Sequence, residues 1–330
     1  MTLPTSWTRE REWMGPAIGV TALSAALALA FIPHPAGLLP ALSILPAWMA
    51  GGALIAAMIG FGVLVRRRVE SPLGAARAYF ANDWRHAAGV LAVLLVAGLN
   101  MIAFMWVKPL LNYLVPFWAD ALLARADAAL FLGHDPGLLL GWLNFPAAGL
   151  VYHQAWFLVM IAALVAVAIQ PPSPRKSAAL MCYFALWSLA GPLVHIALPA
   201  AGPIFYERMG YGVRFAAIDG GEATRAVGDY LWAIYAGRSF GAGSGISAMP
   251  SMHVTMAAWF TVAVAVFARG WLVPVAGFAV LIALLSVSLG WHYALDGVVG
   301  ALVAVAIYRA LLALYARREV RGPDVLAQPA

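Results

Sequence analysis

Long apolar runs separated by short charged clusters make up most of this chain. A helix needs about 20 apolar residues to cross a bilayer. Eight runs approach that length: 15–32, 47–65, 87–107, 148–169, 178–198, 252–267, 272–289 and 294–316. Two longer and more polar stretches, 108–147 and 199–251, interrupt them. The pattern predicts an all-α polytopic membrane bundle of about eight transmembrane helices. Residues 120–145 mix charges with Leu and Trp around Pro136 and Gly137, which predicts two short amphipathic helices lying along the interface. Residues 322–330 are predicted to be disordered. No repeat or second domain is visible. The chain divides into N-terminal transmembrane helices (15–107), an external amphipathic segment (108–147), a catalytic core (148–316) and a tail (317–330).

Composition agrees with the pattern. Of 330 residues, 64% are hydrophobic and 10% charged, against about 25% charged in soluble domains. The net charge of +6 does not describe a nucleic-acid surface, because the basic residues cluster at the ends of apolar runs. Arg66, Arg67, Arg68, Arg77 and Arg85 follow the second run, Arg175 and Lys176 the fourth, Arg269 the sixth, and Arg317, Arg318 and Arg321 the eighth. With alternating helices these all fall on one side, the cytoplasmic side by the positive-inside rule. Both termini then face the cytoplasm, and the two long loops are external. The first run ends in LALAF like a signal peptide, but Glu10 and Glu12 spoil a basic leader and the run is read as a span. The single cysteine, Cys182, lies inside an apolar run and reads as a core residue.

The candidate chemistry gathers in the predicted external layer. His292 and Asp296 stand four residues apart, on one face if helical. A carboxylate there can hold one imidazole nitrogen and leave the other free as nucleophile or base. Upstream, Pro250-Ser251-Met252-His253 opens the sixth run. Gly241-Ala242-Gly243-Ser244-Gly245 leads into it, and small residues before a helix start let backbone N–H groups approach an anion. Ser251 either contributes its hydroxyl to that anion or caps the helix. A nucleophile, an acid and anion-binding donors are the parts of phosphoryl transfer. A transporter would instead place its ionisable groups at mid-membrane in broken helices. There is no HExxH and no carboxylate cluster, so neither a metal nor another cofactor is expected.

At these residues the chain resembles the type-2 phosphatidic acid phosphatase/haloperoxidase superfamily, through Pro250-Ser251-Met252-His253 and the His-x-x-x-Asp pair His292–Asp296. It is most similar to the inositol phosphorylceramide synthase branch. That branch has Tyr293 after the histidine, Gly202-Pro203-Ile204-Phe205-Tyr206 and Gly133-His134-Asp135-Pro136. The resemblance spans about residues 120–316. It implies a six-helix catalytic core with extra N-terminal helices. His292 would become phosphorylated, Asp296 would activate it and His253 would protonate the leaving group.

The chain departs from the phosphatase pattern at two places. Ser286 stands where that branch has an arginine, and no Lys-x6-Arg-Pro element is apparent. Both departures suit a singly charged phosphodiester better than a dianionic monoester. Arg208, Arg214 and Arg238 are the candidate phosphate cations, with Ser251, Tyr293 and His153 as further substrate contacts; His153 and His195 could line a headgroup pocket. The resemblance implies transfer of a phospho-headgroup from a glycerophospholipid to a ceramide- or diacylglycerol-like alcohol. The alternative is a lipid phosphate phosphatase acting on phosphatidic acid or isoprenoid phosphates. The partners would be membrane lipids in a plasma or inner membrane, with no nucleic acid. No signal for an oligomeric state is present.

Overall fold

The computed structural model describes residues 5–32 and 35–320; the predicted disordered stretch 322–330 lies outside them. Among the described residues every regular element is helical. Four helices precede the first long loop: α1 (Thr5–Phe31), α2 (Ile44–Arg66), α3 (Pro72–Asn82) and α4 (Trp84–Leu114). Within that loop are α5 (Asp120–Leu130) and α6 (Pro136–Leu139). Next, α7 (Ala148–Leu150), a π-turn (Val151–Ala155) and α8 (Trp156–Ala168) form one rod. So do α9 (Pro174–Ala185), a second π-turn (Leu186–Ala190) and α10 (Gly191–Ala197). Then come α11 (Gly221–Ala236), α12 (Met252–Phe267), α13 (Leu272–Ser288) and α14 (Ala294–Val320).

Seven of these rods are long and apolar enough to cross a membrane, and the chain is an integral membrane protein. The sixth predicted span, α12, has only 16 residues. At 1.5 Å per residue it is about 24 Å long, short of the about 30 Å of a hydrocarbon core. It is nonetheless central, packing against α14, α13, α8 and α9. The rod α1 packs against α4 and α9, and α2 against α4 and α8. Polar side chains cross between these apolar surfaces. Asn100 Nδ2 donates to Thr21 Oγ1 at 2.9 Å and to Ser188 Oγ at 2.6 Å, and Trp259 Nε1 donates to the Ala179 carbonyl at 2.8 Å. In hydrocarbon such groups must find protein partners. Cys182 is fully buried between α9 and α14, its thiol directed at the Ala304 carbonyl.

The two ends of the bundle differ. At one end Lys176 Nζ, at the start of α9, meets Glu10 Oε1 on α1 at 2.7 Å. Tyr315 near the end of α14 donates to the Glu12 carbonyl at 3.3 Å. The starts of α12 and α14 and the end of α10 lie at the opposite end.

The connecting loops hold more helix than the sequence suggested. Ser71 caps α3 by accepting from Gly74 N–H, with Pro72 next. The loop 199–251 contains α11, an unforeseen 16-residue helix. Of the two predicted amphipathic helices, α5 has 11 residues and α6 only four. Leu130, Leu132, Leu139 and Trp142 along this segment are exposed.

Candidate active site

The start of α12 and the start of α14 are joined directly. Ser251 N–H donates to the Asp296 carbonyl at 3.2 Å. Ser251 is fully buried, and its hydroxyl accepts from Val254 N–H at 3.4 Å, as an N-cap does. His292 Nδ1 lies 2.8 Å from the Ala248 carbonyl oxygen and 3.5 Å from Asp296 Oδ2. A carbonyl only accepts, so Nδ1 carries the proton and Nε2 is left with its lone pair. Asp296 is fully buried; its Oδ2 accepts from Tyr293 N–H at 2.8 Å, and Oδ1 has no partner.

His253 follows the cap of α12. Its ring stacks on Tyr152 (4.2 Å between centroids, 20° between planes) and lies 4.3 Å from the Trp156 ring. Trp156 Nε1 also donates to the His253 carbonyl at 2.9 Å. Tyr152 and His153 come from the first π-turn, a feature that interrupts α-helical register and recurs at functional sites. His153 meets the His253 ring edge-on at 5.4 Å and the Trp291 ring at 6.0 Å. Its Nε2 is buried without a partner. His153, His253 and His292 are within electrostatic reach of one another.

Of the three predicted arginines, two are held by carboxylates and the third is exposed. Arg208 pairs with Asp229 and lies over the Trp232 ring. Arg214 is gripped by Asp135, with Nε at 3.1 and 3.0 Å from the two carboxylate oxygens and Nη2 at 2.6 Å. That contact raises the Arg214 pKa further above its ordinary value. Arg238 is exposed, just beyond α11. Tyr293 is buried with its hydroxyl donating to Asp120 at 2.9 Å.

The cation near the imidazoles is Lys108, at a position expected in the external segment 108–147 but found in α4. The helix α4 runs on through Pro109 to Leu114, and Lys108 is part of it. Lys108 is half-buried, has no acidic partner among the described residues, and acts electrostatically on His153, His195 and His253. Its stem packs so tightly on Gly245, at φ +96°, that a Cβ there would sit 2.9 Å from Lys108 Cγ. The glycine-rich loop is thus shaped around the lysine. Some of its own groups pair internally, Gly241 N–H with Ser244 Oγ and Ser244 N–H with the Gly241 carbonyl, both at 3.2 Å. A signal was present: Val115-Pro116 follows Lys108 at the spacing of Lys-x6-Arg-Pro, with valine in place of arginine.

Two buried carboxyls on α5 join the site without a motif to mark them. Asp120 and Asp127 are 0% and 2% exposed. Burial raises the pKa of each, opposed at Asp120 by the Ala201 and Gly202 N–H groups and at Asp127 by those of Ala294 and Leu295. Their spacing of seven, two helical turns, was the available sign that they share a face.

A cavity of about 380 Å³ lies beside the site, lined by Phe205, Arg208, Thr224, Arg225 and Asp229 among others. It shares Pro203, Phe215 and Ile218 with a small cavity that reaches His292. A family model described as the PAP2 superfamily matches residues 121–310, more than half of the chain. No curated protein and no solved structure matches it.

Proposed function

The chain belongs to the PAP2 superfamily, and from that premise we propose that it moves a phospho-headgroup from a glycerophospholipid to a ceramide- or diacylglycerol-like alcohol. Membership makes it an enzyme of the phosphatase/phosphotransferase type. In the proposed reaction His292 Nε2 attacks phosphorus, the bond from phosphorus to the glyceride oxygen breaks, and His253 gives that oxygen a proton. The acceptor hydroxyl then yields its proton to His253 and attacks the phosphohistidine. The P–N bond breaks, and His292 is regenerated. Asp296 stabilises the charge that develops on the His292 ring. The cavity of about 380 Å³, which shares Pro203, Phe215 and Ile218 with the small cavity at His292, has room for the headgroup.

The observation that carries the transferase reading is the charge around the imidazoles. Lys108 stands there without an acid, while Arg208 and Arg214 are engaged by Asp229 and Asp135. Ser286, at the position of the phosphatase arginine, uses its hydroxyl on the Ala283 carbonyl at 2.7 Å. One cation matches a phosphodiester, which carries one negative charge. The site would face the external side of a plasma or inner membrane, opposite the basic end of the bundle.

The test is turnover by purified protein in lipid micelles containing labelled phosphatidylinositol, phosphatidylglycerol or phosphatidic acid, with and without ceramide or diacylglycerol. A new headgroup lipid that requires the acceptor and vanishes in His292→Ala is the expected result. Free phosphate released from phosphatidic acid regardless of acceptor would replace the transferase with a lipid phosphatase.

A further inference from the structure

The turn Trp291-His292-Tyr293 runs straight into α14, whose first N–H groups have no partner within the helix. Each of those beside the turn goes to a carboxyl. Tyr293 N–H goes to Asp296, as above. Ala294 N–H donates to Asp127 Oδ2 at 2.6 Å and Leu295 N–H to Asp127 Oδ1 at 3.1 Å. The cap of α14 is therefore supplied from a separate element, α5. Asp120, seven residues earlier on α5, accepts from Ala201 N–H and Gly202 N–H, both at 2.8 Å, and from the Tyr293 hydroxyl. Gly202 in turn abuts the other side of the turn. At its φ of +102°, a Cβ would sit 2.4 Å from the Trp291 carbonyl oxygen.

We propose that Asp127, with Asp120 behind it, is a positioning residue that sets where α14 begins and so where His292 and Asp296 stand. This rests on the reading above in which His292 is the nucleophile. Neither aspartate touches the reacting phosphate; each acts through backbone N–H groups or Tyr293. Without the Asp127 cap, the first turn of α14 can fray or slide. His292 Nε2 then loses its line of attack while the substrate contacts of Lys108 and the 199–251 loop stay in place. A displacement of about 1 Å at a reacting group can cost about 100-fold in rate.

The experiment measures phosphoenzyme formation and steady-state turnover for wild type, Asp127→Asn, Asp127→Glu, Tyr293→Phe and His292→Ala, with melting temperature in detergent for each. Asp127→Asn keeps one acceptor oxygen and sets an NH2 against the other donor. We expect its kcat and phosphoenzyme rate to fall about 10- to 100-fold, with KM unchanged, and Asp127→Glu to recover part of the loss. Folded Asp127→Asn with wild-type kcat would overturn the proposal. So would a loss that appears equally in KM. If Asp127→Asn does not fold, Asp127→Glu decides, since it keeps the charge and shifts both oxygens by one CH2: a several-fold fall in kcat at constant KM supports positioning, and a wild-type kcat refutes it, while Tyr293→Phe tests the Asp120 bond alone. Turnover surviving in His292→Ala would sink the nucleophile reading itself, whereas an inactive His292→Ala beside a normal Asp127→Asn would sink only this inference.

Discussion

The nearest acceptor to His292 Nδ1 is the Ala248 carbonyl at 2.8 Å, with the Asp296 carboxylate farther off at 3.5 Å. The peptide group thus fixes the tautomer, and the carboxylate is left with an electrostatic task. Where an aspartate alone fixes a catalytic histidine, the Asn variant leaves the wrong tautomer and costs about 10⁴-fold. Here Asp296→Asn should cost less, about 100-fold in kcat, the low end for an acid–base group, because Ala248 still holds the Nδ1 proton and the amide oxygen can still accept from Tyr293 N–H. Steady-state kinetics on a diester donor measures this; a loss approaching 10⁴-fold would return the tautomer to Asp296.

Lys108 should show opposite effects on activity and stability. A cation removed from water without an acid is costly. Lys108→Met is expected to raise the melting temperature in detergent while lowering kcat/KM about 100-fold or more. A variant both less stable and fully active would dismiss Lys108 as the phosphate cation.

The loop arginines should separate by their partners. Arg238 lies at an exposed position, and replacing it by Ala is expected to leave kcat/KM within about twofold, in the range of surface changes. Arg208 lines the cavity of about 380 Å³, and Arg208→Ala is expected to raise KM. Arg214→Ala leaves the Asp135 carboxylate, 13% exposed, without its fork. Unfolding in detergent should then show a loss of about 1–3 kcal/mol, largely relieved in the Arg214→Ala/Asp135→Ala double variant. Equal losses in the single and double variants would show that the pair is not coupled.

Gly202 allows no side chain. Its φ of +102° and the Trp291 carbonyl 2.4 Å from a would-be Cβ make Gly202→Ala doubly unfavourable. The expected outcome is a fall in melting temperature corresponding to about 3 kcal/mol or more, with activity lost alongside. A Gly202→Ala protein that melts like wild type would mean that the turn beside His292 adapts.

The spans were readable because each is a long uninterrupted apolar run, and apolar length is what a bilayer selects. The run 252–267 became a helix with the same limits, but run length could not say that it is central. The helix α11 was hidden because Gly, Thr and Asp dilute its amphipathic pattern, and it packs on α7, the end of α4 and the turn at Pro203–Phe205. Lys108 was obscured by Pro109, which reads as a break though α4 continues through it. The grouping of His253, His292 and Asp296 at one level follows from helix order alone. The partners of Arg208 and Arg214, and the Ala248 carbonyl that holds His292, depend on loop paths that no periodicity records.

The shortness of α12 bears on how a lipid arrives. A helix about 24 Å long cannot reach both faces of a hydrocarbon layer about 30 Å thick; where the shortfall lies at its first turn, His253 sits below the level of the lipid phosphates. Lifting an acyl chain into water costs about 0.8 kcal/mol per CH2, prohibitive for a two-chain lipid. With the histidine recessed, a substrate can enter sideways between rods, chains still in oil and only its phosphate drawn inward. Under the proposed transfer, lateral diffusion within the leaflet would then govern supply of donor and acceptor.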